Sequence, residues 1–298
     1  MAAYLFTHFI GEQKDGEQIY FALSRDGLHW EDLNGGKPVL FSRTGTKGVR
    51  DPFLVRDPAT GRIYLIATDL RIEAGEGWIH AQEHGSRSMI VWESDDLVHW
   101  SEERSCQVGI SKAGCVWAPE AVYDREKEAF FVFFASNVKT GDEMRPKQRI
   151  YACYTKDFRE FTETFLYMER ENHVIDTTIL ESGGRYYRIS KDETVKKLLL
   201  EVSDSLTGGF ERIPCATFDA LAGVEGPEGY LLADGKTWCV IADQFQSGKG
   251  YLPMLTEDLS SGNFRILSPR EYDLGRTKKR HGGILRITDE EYERLAGR

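Results

Sequence analysis

The stretch HGGILRIT, residues 281–288, decides the fold, because the strands that should pair with it lie at the other end of the chain. It is one of five similar segments, each placing a turn before a short apolar run. They recur at intervals of roughly 50–70 residues, as expected for repeated structural units. The other four are RDPFLVRD (50–57), APEAVYD (118–124), IDTTILES (175–182) and EGPEGYLL (225–232).

Two further strand-like stretches follow each of these four segments, and the second passes through a Ser/Thr and acidic turn before an aromatic residue. VWESDDLVHW at 91–100 is an example. For HGGILRIT, the missing partners are supplied by residues 4–41, beginning with YLFTHFI (4–10) and FALSRDGLHW (21–30). The sequence therefore predicts an all-β, five-bladed β-propeller whose last blade is completed by N-terminal strands, which leaves few exposed sheet edges. A two-sheet sandwich or a β-helix does not explain the shared fifth unit.

Composition and net charge indicate a globular protein and make some partners improbable. Hydrophobic residues make up 41% of the 298 residues and the formal net charge is −10. We therefore expect one globular domain over residues 1–298, with no nucleic-acid or membrane partner. The five cysteines show no CxxC pair, and the start of the chain lacks a secretory pattern, so the sequence predicts buried thiols and a cytoplasmic protein. Only DEEYERLAGR (289–298) predicts a helix.

Three of the five inner strands place a carboxylate at what the alignment of segments treats as one equivalent position: Asp51, Asp176 and Glu225. Inner strands of a propeller converge on one end of a central channel, so these side chains should meet there. The segments VRDPFLV, VWAPEAVYD, VIDTTILESGGRYY and VEGPEGYLL, in that order, resemble glycoside hydrolase family 43, whose fold is a five-bladed β-propeller. The resemblance spans roughly residues 1–290.

The resemblance implies an inverting glycosidase with Asp51 as general base, Glu225 as general acid and Asp176 as a third carboxylate. In such enzymes the acid and base stand ~6.5–9.5 Å apart, which leaves room for the attacking water. A nearby negative charge is expected to raise the pKa of Glu225 and keep it protonated. Glu228 is an alternative acid, and Asp57, in a second RDP triplet, is read as a plain turn residue.

The expected substrate-binding residues are Phe53, Trp78, Trp117, Glu120, Arg188 and His281. The resemblance also allows a structural metal ion in the channel, with His281 as its ligand, but no cofactor is required. Trp78 belongs to the long loop RIEAGEGWIHAQEHGSRS (71–88), which lacks helical context and is predicted to form the rim of the cleft. Its two histidines, four residues apart, do not make a metal motif.

The leading interpretation is an enzyme that releases a terminal pentose, α-L-arabinofuranose before β-D-xylose, from short plant-derived oligosaccharides. Family 43 also contains endo-arabinanases. A related five-bladed glycoside phosphorylase would need a cationic phosphate cluster and no base, so Asp51 argues against it. A non-catalytic propeller that binds proteins is a third interpretation, but the Gly-His and Trp-Asp dipeptides of such scaffolds do not recur here.

Overall fold

The computed structural model describes residues 3–141 and 143–297 and places their strands in five four-stranded antiparallel sheets. The sheet that closes the ring combines three N-terminal strands with one strand from near the C-terminus. From the innermost strand outward it contains β20 Gly283–Ile287, β1 Ala3–His8, β2 Tyr20–Ser24 and β3 Glu31–Asp32. The predicted five-bladed β-propeller and its mode of closure are therefore confirmed.

The other four blades follow in chain order, each running from the innermost to the outermost strand. Blade 1 contains β4 Val49–Arg56, β5 Ile63–Asp69, β6 Ser88–Ser94 and β7 Arg104–Gln107. Blade 2 contains β8 Trp117–Asp124, β9 Ala129–Val138, β10 Lys147–Thr155 and β11 Phe165–Met168. Blade 3 contains β12 Val174–Ser182, β13 Arg185–Asp192, β14 Lys197–Ser203 and β15 Glu211–Ile213. Blade 4 contains β16 Glu225–Leu231, β17 Trp238–Asp243, β18 Tyr251–Thr256 and β19 Arg265–Ile266.

The Ser/Thr and acidic turns form because their side chains satisfy the backbone where a strand ends. In the turn after β2, the Ser24 hydroxyl accepts the amide hydrogen of Gly27, and Asp26 accepts those of Leu28 and His29. The turns after β6 and β10 repeat this arrangement. These short-range bonds fix the chain reversal before Trp30, whose buried ring packs 5.2 Å from Phe6.

Among the described residues, three short α-helices accompany the sheets, and the sequence did not predict two of them. The expected C-terminal helix is present as α3 Asp289–Leu295, and its first turn is closed by a capping box between Thr288 and Glu291. The other two are α1 Trp78–Glu83 and α2 Ala216–Ala220. The prediction that loop 71–88 contains no helix was therefore wrong. All five cysteines are buried and free.

Replacing Phe6 by alanine should destabilise the closing blade. Phe6 is fully buried on β1 and contacts the rings of Trp30 and Tyr251. We expect Phe6→Ala to lower the free energy of unfolding by about 3–5 kcal/mol, measured by chemical denaturation. Ile266→Ala, on an exposed outer strand, should cost less than about 1 kcal/mol. Equal losses in the two variants would contradict a packed, closed fifth blade.

Candidate active site

The innermost strands of blades 1 to 4 each contain an irregularity near the end that faces the pocket. Pairing with the neighbouring strand is interrupted there, and one residue takes a left-handed backbone conformation. These residues are Asp51 (φ 49°), Ala118 (φ 47°), Asp176 (φ 48°) and Gly226 (φ 51°). Asp51 and Asp176 are therefore equivalent, whereas Glu225 lies one position earlier. The expectation of three equivalent carboxylates is corrected on this point.

Gly226 shows why a glycine follows Glu225. A Cβ atom at this position would lie 2.5 Å from Cγ of His281, so any larger residue would displace the imidazole ring. The positive φ adds a second reason, because most other residues are strained in that region. The amide of Gly226 donates a 3.1 Å hydrogen bond to Oδ2 of Asp176. The glycine thus lets blades 3, 4 and 5 approach one another closely.

These strand ends surround a cavity of about 450 Å³. Its lining includes the three carboxylates that the sequence singled out, together with His281, Trp78 and Trp117. A larger, more open depression lies on blade 2 beside Tyr154 and Phe161, but none of these six residues lines it. The remaining residues of the central cavity are Glu12, Arg50, Leu70, Gln82, Ile175, Lys191, Glu193, Phe245 and Arg280.

His281 lies between the two equivalent aspartates. Its Nδ1 atom is 3.4 Å from Oδ1 of Asp51 and 3.8 Å from Oδ1 of Asp176. The other oxygen of Asp51 accepts a 2.9 Å hydrogen bond from the hydroxyl of Thr68. That hydroxyl in turn accepts the amide hydrogen of Ala118, so neighbouring blades hold the Asp51 carboxylate in place. Asp51 thus presents an oriented carboxylate at the cavity wall.

Burial dominates the electrostatics of Asp176. It raises the pKa of this carboxyl to about 6, although His281 and Lys191 act in the opposite direction. The negative charges of Glu225 and Asp51 add to the rise. Asp176 therefore takes up a proton at a higher pH than an exposed aspartate would.

Asp176→Asn should change how stability depends on pH. Because the pKa of Asp176 is raised by folding, its stabilising contribution is complete below about pH 4 and is lost as the pH rises through 6. The free energy of unfolding of the wild type, minus that of Asp176→Asn, should therefore fall by up to about 3 kcal/mol between pH 4 and pH 7. Denaturant titrations at both pH values measure it, and a difference independent of pH would contradict the shift.

Glu225 is held by two cations. Nζ of Lys191 lies 2.9 Å from Oε2, and Nη2 of Arg280 lies 2.8 Å from Oε1. Burial alone would raise the pKa of Glu225, but Lys191 and then Arg280 outweigh it and lower the pKa. The expected rise in this pKa was wrong, because no local sequence pattern indicated that both cations would reach the carboxylate. In this structure Glu225 is an ionised, doubly hydrogen-bonded group.

The loop 71–88 is anchored to the pocket through Arg50 and Glu17. Arg50 is buried and lies 2.9 Å from Glu17, whose carboxylate also accepts the amide hydrogens of Ile72 and Glu73. The Arg50 guanidinium group lies 4.8 Å from the ring centre of Trp78. Trp78, 45% exposed, forms one wall of the cavity, as the prediction of a rim loop requires.

Trp78 and Trp117 form an aromatic corner at the cavity. Their ring centres are 6.0 Å apart in an edge-to-face arrangement. Trp78 comes from helix α1 and Trp117 from the start of β8, so two blades contribute to this surface. Aromatic faces of this kind offer large, rigid contact areas.

Three predicted substrate-binding residues do not line the cavity. Phe53 lies beside Gly283 and packs against the apolar core that blades 1 and 2 share. Glu120 is buried close to Glu228, and burial followed by the charge of Glu228 raises its pKa well above the usual value. Arg188 is buried against Glu201, 2.9 Å away, under the ring of Phe210. These three assignments are corrected, because the side chains have protein partners elsewhere.

Glu228, the alternative acid, also lies outside the cavity lining. It is buried, burial raises its pKa well above the usual value, and its Oε2 atom has no hydrogen-bond partner among the described residues. Asp57 caps its own turn by accepting from the amide of Ala59 and the hydroxyl of Thr60. It is therefore the turn residue that the sequence indicated.

The family resemblance allows a metal ion in the channel, with His281 as its ligand. Within residues 3–141 and 143–297, no group of three or more His, Cys, Asp or Glu side chains is arranged to hold a metal ion. The Nδ1 atom of His281 faces the two aspartates directly. In the described part of the chain, no helix is long and apolar enough to cross a membrane.

Comparison with known proteins agrees with the fold. Residues 1–293 match a family model related to glycoside hydrolase family 43 and described as a probable glycosyl hydrolase domain. An α-L-arabinofuranosidase of Bifidobacterium longum subsp. longum is 33% identical over an alignment of 234 residues that covers 68% of this chain. The match covers only 22% of that longer protein.

Two solved structures are similar in fold at low identity. The catalytic domain of a GH62 α-L-arabinofuranosidase from Coprinopsis cinerea has a TM-score of 0.54 at 12% identity, covering 78% of this chain and 71% of that one. A putative exo-β-1,3-galactanase from Bifidobacterium bifidum s17 has a TM-score of 0.60 at 14% identity, covering 94% and 91%. With the family model matching almost the whole sequence, this chain belongs to the glycosyl hydrolases related to glycoside hydrolase family 43.

Proposed function

We propose that the protein is an inverting exo-glycosidase that releases terminal α-L-arabinofuranose from short plant-derived oligosaccharides. The observation that carries the proposal is the meeting of Asp51, Asp176 and Glu225, from three different blades, in one cavity with His281. The choice of sugar is supported by the 33% identical arabinofuranosidase. β-D-Xylosides are the alternative substrate.

Asp51 is the proposed general base. Its carboxylate is held by Thr68 and faces the cavity, so it can accept a proton from a water molecule as that water attacks the anomeric carbon. An Asp at this position tolerates the left-handed backbone better than most residues do. Asp176 is a positioning residue: its bond from the Gly226 amide fixes the backbone next to Glu225.

Glu225 is the proposed general acid, which gives its proton to the oxygen of the departing sugar or alcohol. In the structure this carboxyl is ionised, since Lys191 and Arg280 lower its pKa. Acid catalysis therefore requires that substrate binding weaken at least one of these two contacts. The base and the acid act on opposite faces of the sugar, which inverts the anomeric centre.

The size and walls of the cavity favour exo-action. At about 450 Å³ it is at the small end of ligand cavities, which run from roughly 300 to 1,000 Å³. The aromatic corner of Trp78 and Trp117 closes one side of it. We infer that one terminal sugar enters the cavity and that the corner contacts this sugar or the next one.

Proton NMR of a 4-nitrophenyl α-L-arabinofuranoside, without added phosphate, tests the proposal. Prompt turnover with β-L-arabinose appearing first is the expected result. The α-anomer appearing first would contradict inversion, and turnover only with phosphate would identify a phosphorylase. Parallel tubes with a β-D-xyloside and a β-D-galactoside compare the sugars, and turnover of these alone would overturn the choice of arabinose.

A further inference from the structure

Both cations that hold Glu225 are shared with a second carboxylate. Lys191 lies 2.9 Å from Glu225 and 2.6 Å from Oε2 of Glu193. Arg280 lies 2.8 Å from Glu225 and 2.5 Å from Oδ2 of Asp243. Either cation could therefore leave Glu225 without becoming an unpaired charge in a buried site, which would be costly.

A proton on Glu225 would weaken the present contacts. An ionised carboxylate only accepts hydrogen bonds, whereas a protonated one donates through one oxygen, which is then an uncharged and poorer acceptor. Lysine and arginine have donors and no acceptor, so neither can receive that proton. Because each oxygen of Glu225 faces one cation, at least one contact must weaken when the carboxyl takes up the proton that it needs as an acid.

Lys191 is better placed to leave than Arg280. Arg280 is fixed by a bond from its own amide to the carbonyl of Phe9 and by its pairing with the fully buried Asp243. The Lys191 ammonium group sits on a flexible stem and is already within contact of Glu193. It also lies 4.4 Å from the ring centre of Phe245, and this cation–π contact can be kept when the ammonium group moves a short distance.

Glu193 is suited to receive the lysine. It lies in the turn directly after β13, lines the cavity and is 28% exposed at its side chain. Its other oxygen pairs with Lys196, which holds the carboxylate in place. If an incoming sugar displaces the Lys191 ammonium group from Glu225, that group therefore keeps Glu193 as a fixed partner.

We propose that Lys191 passes from Glu225 to Glu193 when a sugar fills the cavity, so that Glu225 can carry a proton only in the occupied site. This inference rests on the proposed role of Glu225 as the acid. Lys191 is then a positioning residue that makes acid catalysis depend on substrate. The titratable and charged groups around Glu225 are Asp51 from β4, Asp176 from β12, Lys191 from β13, Glu193 from the following turn, Asp243 from β17, and Arg280 and His281 before β20.

Carbon-13 NMR of protein labelled at the Glu carboxyl carbons tests the proposal directly, with the Glu225 signal assigned by its loss in Glu225→Gln. In the free protein, Lys191→Met should raise the pKa of Glu225 by about 1–3 units. Lys196→Met removes a cation from Glu193 without touching Glu225, and should leave the Glu225 titration unchanged. If Lys191→Met titrates like the wild type, the proposal is wrong.

The second arm adds an S-linked aryl α-L-thioarabinofuranoside, which is not hydrolysed. In the wild type this probe should raise the pKa of Glu225, and in Glu193→Gln the rise should be lost because Lys191 has no charged second partner. A rise that persists in Glu193→Gln would overturn the transfer, as would binding without any rise in the wild type. If the probe does not bind at all, the failure lies with the proposed substrate.

Discussion

Asp51→Asn is expected to lower kcat on an aryl α-L-arabinofuranoside by about 10³–10⁴-fold, at the upper end for loss of a general base. Asparagine tolerates the left-handed backbone at this position and can still accept the hydrogen bond from Thr68, so the variant should fold. The loss would therefore reflect the missing carboxylate. Initial rates measure it, and added azide, which needs no base, should restore consumption of the substrate.

Asp57→Asn is the matched control, because it sits in the second RDP triplet six residues along the chain. An asparagine there keeps the oxygen that accepts the amide of Ala59. We expect kcat within about twofold of the wild type, as for a substitution away from the site. If Asp51→Asn kept more than about a tenth of the wild-type kcat, its assignment as general base would be untenable.

Glu225→Gln should give a loss that depends on the leaving group. For an alkyl or sugar leaving group, which needs a proton, kcat should fall by about 10³-fold or more. For a 2,4-dinitrophenyl leaving group, which departs as a stable anion, the loss should be about tenfold or less. Lys191 and Arg280 keep Glu193 and Asp243 as partners in this variant, so the site should stay intact. Steady-state rates on the two substrates give the comparison.

Glu228→Gln separates proton donation from a general effect of removing a buried carboxyl. Burial raises the pKa of Glu228, so glutamine resembles its neutral form. The variant should show the same ratio of rates on the two leaving groups as the wild type. Equal losses on both substrates in Glu225→Gln would argue that Glu225 stabilises charge and does not donate a proton.

The sequence predicted the fold because the repeat is carried by local features: turns, apolar runs and aromatic residues at regular spacing. The pairing of HGGILRIT with N-terminal strands followed from the same pattern. The same reasoning brought Asp51, Asp176, Glu225 and His281 to one cavity. Their exact register was less accessible, because only the pairing of β16 with β17 shows that Gly226, and not Glu225, takes the position equivalent to Asp51 and Asp176.

The charged partners of Glu225 were not predictable in the same way. Neither Lys191 nor Arg280 was among the predicted site residues, although Arg280 directly precedes His281. The two cations lie 34 and 55 residues from Glu225 in sequence. No local pattern links them, and pairing across blades depends on how the strands are arranged in space. Phe53, Glu120 and Arg188 were misplaced for a related reason, since a strand pattern does not show which buried partner a side chain finds.

The closing blade has a consequence for synthesis of the chain on the ribosome. Residues 3–8 are synthesised long before residues 283–287, the strand that covers their inner edge. Arg280 and His281 directly precede that strand, so the cavity cannot be assembled in a partial chain. Until residues 283–287 are available, the inner edge of β1 therefore has unpaired hydrogen-bonding groups, and such an edge is prone to wrong pairing. Hydrolytic activity should accordingly appear only after the last blade is released.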